Sequence, residues 1–287
     1  MRIYTATARF DTGRPLTNDE LFKAAPSIFS TTAHHSRSDR FQPIPTIAVL
    51  DQLRKEGFEP VGAKQAMARD GDRRDYAKHL IRLRRFDNVK SYQVGDTICE
   101  ILLKNANDGT SAYDLLAGLF RIRCMNSLVS QESTIETVKV RHSGDVASKV
   151  IEGTYTVLSE AQKSLAAPDQ WSRITLTDRE REAFGASARL LRFGDADGNT
   201  DTPITAAQMV RPRRRDDIAN DLWTTFNVAQ ENAIRGGLRA TGRDANNRPR
   251  RVTTRGVNGI DQDVKLNRAL FTLAAEMAKL KGVPLAA

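Results

Sequence analysis

A series of strand-like segments joined by short connections most constrains what this chain can fold into. Each segment has the residue alternation or the continuous apolar run of a β-strand; they are Phe58–Arg69, Tyr76–Phe86, Asp96–Ala106, Ser111–Cys124 and Ile135–His142. The Asp108-Gly109 pair between two of them supplies the positive φ angles that a tight hairpin turn needs. Because the connections are too short for crossover helices, the sequence predicts an antiparallel meander.

Helical patterns flank this series on both sides. Thr46 is predicted to cap a helix that stops at Gly57. Asp145 is predicted to cap a long amphipathic helix that covers the apolar face of the sheet. Further helices are predicted near Thr177–Leu191, Ile204–Met209, Asp216–Arg235 and Asp261–Leu280, and a mobile loop rich in Gly, Asn and Arg is predicted at Arg239–Arg255.

These patterns predict an α+β protein in three parts. Residues 1–43 form an irregular N-terminal segment with one short helix around Asn18–Lys23. Residues 44–166 form the core, an antiparallel β-sheet packed against a long α-helix. Residues 167–287 form a helical C-terminal region with an Arg-rich loop.

Three of the predicted neighbouring strands carry a pair of cations each. Side chains two residues apart on a strand point the same way. The six cations are therefore predicted to share one face of the sheet, with aliphatic residues on the other; they are Arg82, Arg84, Arg121, Arg123, Lys139 and Arg141. Such a face would offer phosphates a surface to lie on. The alternative is that these cations pair with acids such as Glu100, Glu132 and Glu136 and discourage edge-to-edge aggregation.

A second cationic region lies toward the C-terminus. Residues 211–255 contain eleven arginines against five acidic residues, in a chain whose formal net charge is +9. Arginine binds phosphate through a flat bidentate fork and stacks on bases. The candidate contacts to nucleic acid are Arg211, Arg213, Arg214, Arg215, Arg235, Arg239, Arg250, Arg251 and Arg255, with Arg243 and Arg248 nearby. The alternative is a solvated loop without a ligand.

The sequence lacks the patterns of several other protein classes. It has no apolar run long enough for a membrane span, and Met1–Phe10 lacks an apolar secretion segment, so we expect a cytoplasmic protein. It has no Gly-rich phosphate loop, nucleophile elbow or dinucleotide fingerprint. The four histidines, His34, His35, His79 and His142, have no regular ligand spacing, so the sequence predicts neither a metal nor a cofactor.

Several segments resemble a domain family of unknown function, DUF932, found on phages, plasmids and other mobile elements. They are Pro45-Thr46, Lys78–Arg84, Lys104–Tyr113, Ala117–Val129, the stretch from His142 to Gly153, and Asp221–Asn232. The resemblance implies a role in DNA metabolism, recombination or evasion of host defence, without an activity to transfer. The order of helix, antiparallel strands and long helix is also similar to that of single-strand annealing proteins, which form rings or filaments and hold DNA along a basic groove.

Together these features favour a binding protein over an enzyme. We expect sequence-independent binding of single-stranded DNA, with annealing, in a homo-oligomer that serves phage or plasmid recombination and has no membrane partner. Two alternatives stay open: a protein that binds and modulates a host defence or replication machinery, and a metal-dependent nuclease.

Overall fold

Two compact units divide the chain in the computed structural model, and each is described by itself. The first unit holds residues 1–131 and 135–162, and the second holds residues 132–134 and 163–287. The structure describes residues 4–7, 14–37, 43, 45–67, 71–86, 97–122, 129–131, 138–140, 145–164, 166–195, 197–243 and 247–283.

The first unit is an antiparallel sheet with helices around it. Its elements are β1 (Tyr4–Thr7), α1 (Asn18–Ala24), α2 (Thr46–Lys55), β2 (Phe58–Gln65), β3 (His79–Arg85), β4 (Thr97–Asn105), β5 (Tyr113–Ile122), β6 (Val129–Gln131), β7 (Val138–Val140) and α3 (Val146–Ser164), with short 3-10 helices at Pro26–Phe29 and Gly71–Tyr76. Among the described residues the strand order is β1-β2-β3-β4-β5-β6, and β7 also pairs with β5. The predicted antiparallel meander is confirmed, whereas β1 and β6 were not predicted.

Two local signals in the sequence produce the expected structure. Gly109 has a φ angle of 75°, and the Asp108 carboxylate accepts a hydrogen bond of 2.9 Å from the Thr110 backbone N–H, so this link is a tight turn. Asp145 caps α3, because its carboxylate accepts a 3.2 Å hydrogen bond from the Ser148 backbone N–H.

The core of the first unit lies between the sheet and α3. Val146, Val150 and Val157 of α3 are buried in one cluster with apolar residues of β3, β4 and β5, such as Ile101 and Leu115. The α+β class, with the long helix on the apolar face of the sheet, is confirmed.

Thr46 does not cap α2, contrary to the prediction. Its hydroxyl is fully buried and contacts the neighbouring strands: the Asn105 side-chain amide donates to it at 2.9 Å, and His79 Nε2 lies 3.0 Å away. The Tyr113 hydroxyl is 3.4 Å from the same oxygen. The first turn of α2 therefore has no side-chain cap, since the hydroxyl is engaged in this buried polar cluster.

The second unit is helical with a two-stranded sheet. Its elements are α4 (Ala167–Trp171), α5 (Asp178–Phe193), α6 (Ala206–Met209), α7 (Leu222–Arg235), β8 (Arg239–Arg243), β9 (Pro249–Thr253) and α8 (Ile260–Leu280), with a 3-10 helix at Arg215–Asp217. The fully buried rings of Trp171, Phe226 and Phe271 meet in its core. The predicted helix at Asp216–Arg235 begins later than expected, at Leu222, because Asp221 supplies its N-cap.

The predicted mobile loop at Arg239–Arg255 is wrong. β8 and β9 pair antiparallel over five residues each, from Arg239 opposite Thr253 to Arg243 opposite Pro249. One face of this hairpin is exposed along its length, and neither strand has a buried residue. The sequence therefore lacks the alternation of apolar and polar residues by which strands are predicted.

Among the described residues, no helix is long and apolar enough to cross a membrane.

Candidate nucleic-acid interface

Two of the predicted cations on the sheet are held by one buried carboxylate. Glu100 is 1% exposed, and its carboxylate lies 2.6 Å from Arg82 Nε and 2.5 Å from Arg84 Nη2. Burial alone would raise the pKa of Glu100, but the two guanidinium groups more than offset it and hold the pKa below its ordinary value. Arg84 is itself only 8% exposed, so this triad is part of the packed sheet.

The strand register separates the predicted cation pairs. Arg82 is opposite Leu102, which is opposite Leu116 on β5. Along β5, Leu116 shares the face of Arg82, whereas Arg121 lies an odd number of residues away. Arg121 is therefore at a position on the opposite face, which it shares with the core residue Leu115. The prediction that all the cations share one face is wrong, because alternation fixes faces only within a strand, whereas the register fixes them between strands. The side chain of Arg121 and all of Arg123 and Arg141 lie outside the described residues.

The face that carries Arg82 is not an open cationic surface. Leu102 and Leu116 on this face are buried. Lys104 lies 2.7 Å from the carboxylate of Asp114, which also stands opposite the exposed Lys139 in the register of β5 and β7. Arg82, Arg84 and Lys104 therefore pair with acidic residues, which is the alternative that the sequence left open for the cations of the sheet.

The hairpin β8–β9 concentrates exposed arginine instead, and we call it the arginine ribbon. In its register, Arg239 faces Thr253, Thr241 faces Arg251, and Arg243 faces Pro249. These cross-strand pairs share one face, and all six residues are exposed. Arginine alternates between the two strands along this face, in steps of about 6.8 Å. A surface concavity is lined by residues of both strands, Arg239, Ala240, Thr241, Arg251, Val252 and Thr253.

No acidic side chain neutralises this face within the part of the chain that the structure describes. Arg239, Arg251 and Arg255 are exposed, as is Arg250 on the opposite face beside Gly242, and none of the four forms a salt bridge with a described residue. Arg243 donates to the backbone oxygen of Asn247 at 2.9 Å, a neutral acceptor, and forms no salt bridge with a described residue. Uncompensated, exposed guanidinium groups are suited to phosphate oxygens.

The opposite face attaches the ribbon to the second unit. Ala240 packs against the apolar core of that unit. Gly242 approaches Pro203 so closely that a Cβ there would lie 3.1 Å from the proline ring. The Arg239 backbone oxygen also accepts a 2.7 Å hydrogen bond from the Gln208 side-chain amide. The ribbon is therefore an ordered, one-sided projection and its arginine face points away from the core.

The remaining candidates between residues 211 and 235 have different roles. Arg211 and Arg215 are exposed. Arg214 and Arg235 both form salt bridges with the carboxylate of Glu231, at 2.9 and 3.0 Å. Arg213 donates to the Asn232 side-chain oxygen at 2.6 Å and so supports the fold.

Asn232 connects this arginine segment to α7. It is 1% exposed, and its amide nitrogen donates to the backbone oxygens of Met209 and Arg211 at 2.9 and 3.0 Å. Since Arg213 bonds to the oxygen of the same side chain, Asn232 holds the chain from 209 to 213 beside the end of α7. The burial of Asn232 results from tertiary packing, so the sequence alone did not reveal this role.

Gly236 lets the ribbon approach the end of α7. Its φ of 70° and ψ of −157° belong to a region that only glycine adopts readily. A Cβ there would lie 2.5 Å from the Arg255 carbonyl carbon and 2.6 Å from the Gly256 nitrogen. The segment that follows β9 therefore packs directly on this glycine.

We expect Gly236→Ala to lower the stability of the second unit by more than about 1–3 kcal/mol, which is the usual cost of placing a non-glycine residue in such a backbone conformation. The added methyl group would collide with backbone atoms, which cannot rotate out of the way as a side chain can. Gly198→Ala is the control, because Gly198 also has a positive φ, 79°, but has no atom within 4 Å of its Cβ position. Thermal melts of the two variants separate the collision from the conformational cost. Equal losses in the two variants would contradict the close approach.

A separate cluster of possible metal ligands lies in the first unit. His34 Nε2 and His35 Nδ1 are each 3.4 Å from the carboxylate of Asp72. His79, which the sequence grouped with them, is in the buried polar cluster instead, where burial lowers its pKa to about 4. His142 lies outside the described residues. Asp72 was not recognised in the sequence as a partner for the two histidines.

Comparison with known proteins identifies the family. The family model described as Domain of unknown function (DUF932) matches residues 33–271. The chain belongs to this family. Two similar proteins of Escherichia coli (strain K12) are UPF0380 protein YfjQ, 46% identical, and UPF0380 protein YafZ, 47% identical, each over 261 residues that cover 91% of both chains. No solved structure matches the chain. The resemblance to DUF932 inferred from the sequence is confirmed, and the matched residues include the arginine ribbon and the His34 cluster.

Proposed function

We propose that this protein binds nucleic acid without sequence preference, with single-stranded DNA as its substrate and the arginine ribbon as its main contact. The observation that supports the proposal is the exposed face of Arg239, Arg243 and Arg251, which no acidic residue in the described ranges neutralises. Backbone phosphates are contacted by such guanidinium groups, and these contacts carry no sequence information.

The composition of the ribbon favours phosphate contacts over base stacking. Residues 239–253 contain five arginines and no aromatic residue. A binder that relies on stacking would place aromatic rings on this face. Threonine hydroxyls at positions 241 and 253 lie between the arginines and can donate hydrogen bonds to phosphate oxygens. The exposed Arg255, just after β9, extends the cationic strip.

Reversing two charges on the ribbon tests the proposal. We expect the double variant Arg239→Glu, Arg251→Glu to bind a single-stranded oligonucleotide at least about tenfold more weakly, since each charge-assisted hydrogen bond contributes about 1.5–3 kcal/mol. The dependence of log K on log salt should also become shallower by about 1.4, the value for two lost phosphate contacts on a single strand. Fluorescence anisotropy at two salt concentrations, in the presence of a chelator, measures both quantities.

The matched control is the double variant Arg179→Glu, Arg268→Glu. Both arginines are exposed on helices of the same unit, so the control makes the same change in net charge away from the ribbon. We expect it to retain most of the affinity. Equal losses in the two double variants would show a net-charge effect only, and unchanged binding by the ribbon variant would overturn the assignment. If the wild-type protein binds no oligonucleotide, the protein-binding alternative is favoured instead.

Annealing in a homo-oligomer is the finer part of the proposal. Light scattering with and without the oligonucleotide tests for assembly, and a duplex of the same sequence tests strand preference. Annealing of two complementary strands should depend on Arg239 and Arg251 in the same way as binding does, because neutralising both backbones requires the same cations.

A further inference from the structure

The histidine–aspartate cluster of the first unit has the shape of a metal site. Its ligand atoms are His34 Nε2, His35 Nδ1 and an Asp72 carboxylate oxygen, and all three lie within 4.8 Å of one another. We propose that these residues bind a divalent transition-metal ion such as Zn²⁺. The proposal concerns a site in the first unit and does not depend on the arginine ribbon.

The distances are close to those that a bound ion requires. Zn²⁺ is held at about 2.0–2.1 Å by nitrogen and oxygen ligands, so two ligands of a tetrahedron are about 3.3 Å apart. The Asp72 oxygen is 3.4 Å from both ring nitrogens. Two edges of the ligand triangle therefore need almost no adjustment. The third edge can close by rotation of His35, whose side chain is 76% exposed.

His34 is held with one nitrogen directed at the site. Its side chain is only 3% exposed, and its Nε2 has no hydrogen-bond partner among the described residues. Its ring lies edge-on to Tyr76, with centroids 5.4 Å apart, and its backbone N–H donates to the Asn107 oxygen at 3.2 Å. The Asp72 carboxylate, 3.4 Å away, does not complete a hydrogen bond to this buried nitrogen, and a metal ion would satisfy the nitrogen.

The second nitrogen of His34 contacts Ser36 and accepts a hydrogen bond from the Ser36 backbone N–H in this structure. His34 Nδ1 is 2.8 Å from the Ser36 hydroxyl, and the Ser36 backbone N–H is 3.2 Å from the same nitrogen. Metal binding through Nε2 would move the ring proton to Nδ1, where the Ser36 hydroxyl can accept it, and would break the hydrogen bond that the Ser36 backbone N–H donates. The Arg37 guanidinium donates to that hydroxyl at 3.2 Å and orients its remaining lone pair.

The donor set selects the class of ion. Two imidazoles and one carboxylate suit Zn²⁺, Fe²⁺, Co²⁺ or Ni²⁺, whereas Mg²⁺ and Ca²⁺ prefer oxygen ligands. Three protein ligands leave a coordination position for water, as in metal sites that perform chemistry. The side chains of His35 and Asp72 are 76% and 60% exposed, so an ion and water can reach the cluster from solvent.

Titration of the full chain with Zn²⁺, followed by calorimetry, tests the site. We expect the wild-type protein to bind one equivalent, and Asp72→Asn and His35→Ala each to weaken that binding by more than about tenfold, the loss that even outer-shell changes can cause. Both side chains are exposed, so both variants should fold. Bound Co²⁺ should give the visible absorption of a tetrahedral site in the wild type and lose it in both variants.

Asp75→Asn is the matched control, because Asp75 is an exposed acid on the same 3-10 helix but outside the cluster. We expect it to bind Zn²⁺ like the wild type. Equal binding by the wild type and Asp72→Asn, or no binding by the wild type, would show that the three residues form a histidine–carboxylate ion pair only, and would overturn the proposal. Oligonucleotide binding in chelator is measured separately, so neither result decides the other.

Discussion

Glu100→Gln is expected to destabilise the first unit by about 3–5 kcal/mol, the usual cost of removing one partner from a buried ion pair. The neutral amide would remove the buried negative charge that Arg82 and Arg84 both contact, and the side chains of these arginines are only 16% and 10% exposed. Urea denaturation followed by far-UV circular dichroism measures the loss. Hydrogen exchange of the β3 and β4 amides would locate it in the sheet.

Glu152→Gln provides the control for this substitution. Glu152 is an exposed acid on α3 that makes no salt bridge with a described residue, so its replacement should change stability by less than about 0.5 kcal/mol. A loss from Glu100→Gln as small as this would mean that the two arginines do not depend on the carboxylate.

The stability of the wild type should depend on pH in the way that the Glu100 triad requires. The pKa of Glu100 is lower in the folded protein than in the unfolded chain. The carboxylate therefore stabilises the fold above its unfolded pKa. That contribution is lost as the pH falls through the lowered value, and Glu100→Gln should remove this part of the acid dependence.

Acidification from pH 6.5 to about 4 is expected to cost the first unit about 3 kcal/mol through His79 alone, at about 1.4 kcal/mol per pH unit. Burial lowers the pKa of this side chain from 6.5 to about 4. Over that interval the unfolded chain binds a proton that the folded protein does not bind, so stability falls as the pH falls. Below about pH 4 both states are protonated at this position and the loss stops.

His79→Gln removes this titration and tests the assignment. The variant will be less stable at neutral pH, since His79 Nδ1 lies 2.8 Å from the Ser27 hydroxyl and Nε2 lies 3.0 Å from that of Thr46. The informative quantity is the slope of unfolding free energy against pH between 6.5 and 5, which should become flatter in the variant. An unchanged slope would assign the acid sensitivity to other groups.

Local signals in the sequence predicted much of the fold. The Asp108-Gly109 turn, the Asp145 cap and the stop at Gly57 depend on conformational preferences of one or two residues, and the structure has all three. Thr46 shows the limit of this reasoning. Its position before a helix satisfies the capping pattern, but its hydroxyl bonds to strands that are distant in the sequence.

The candidate site was predicted only in part, for reasons of register and exposure. Whether Arg82 and Arg121 share a face depends on how β3, β4 and β5 are aligned, and alternation within one strand cannot supply that information. The arginines of β8 and β9 were identified as a cationic segment. Their strand structure was not predicted, because a ribbon with one solvated face has too few apolar residues to show a strand pattern in the sequence.

The ribbon has a consequence for how its charge could be controlled. Every cation between residues 239 and 253 is arginine, and none is lysine. Guanidinium groups stay protonated throughout the physiological pH range, so acidification would leave this surface unchanged. Lysine acetylation, a common enzymatic means of erasing positive charge, has no substrate there. Ionic strength and competing polyanions would instead adjust its attraction for a ligand.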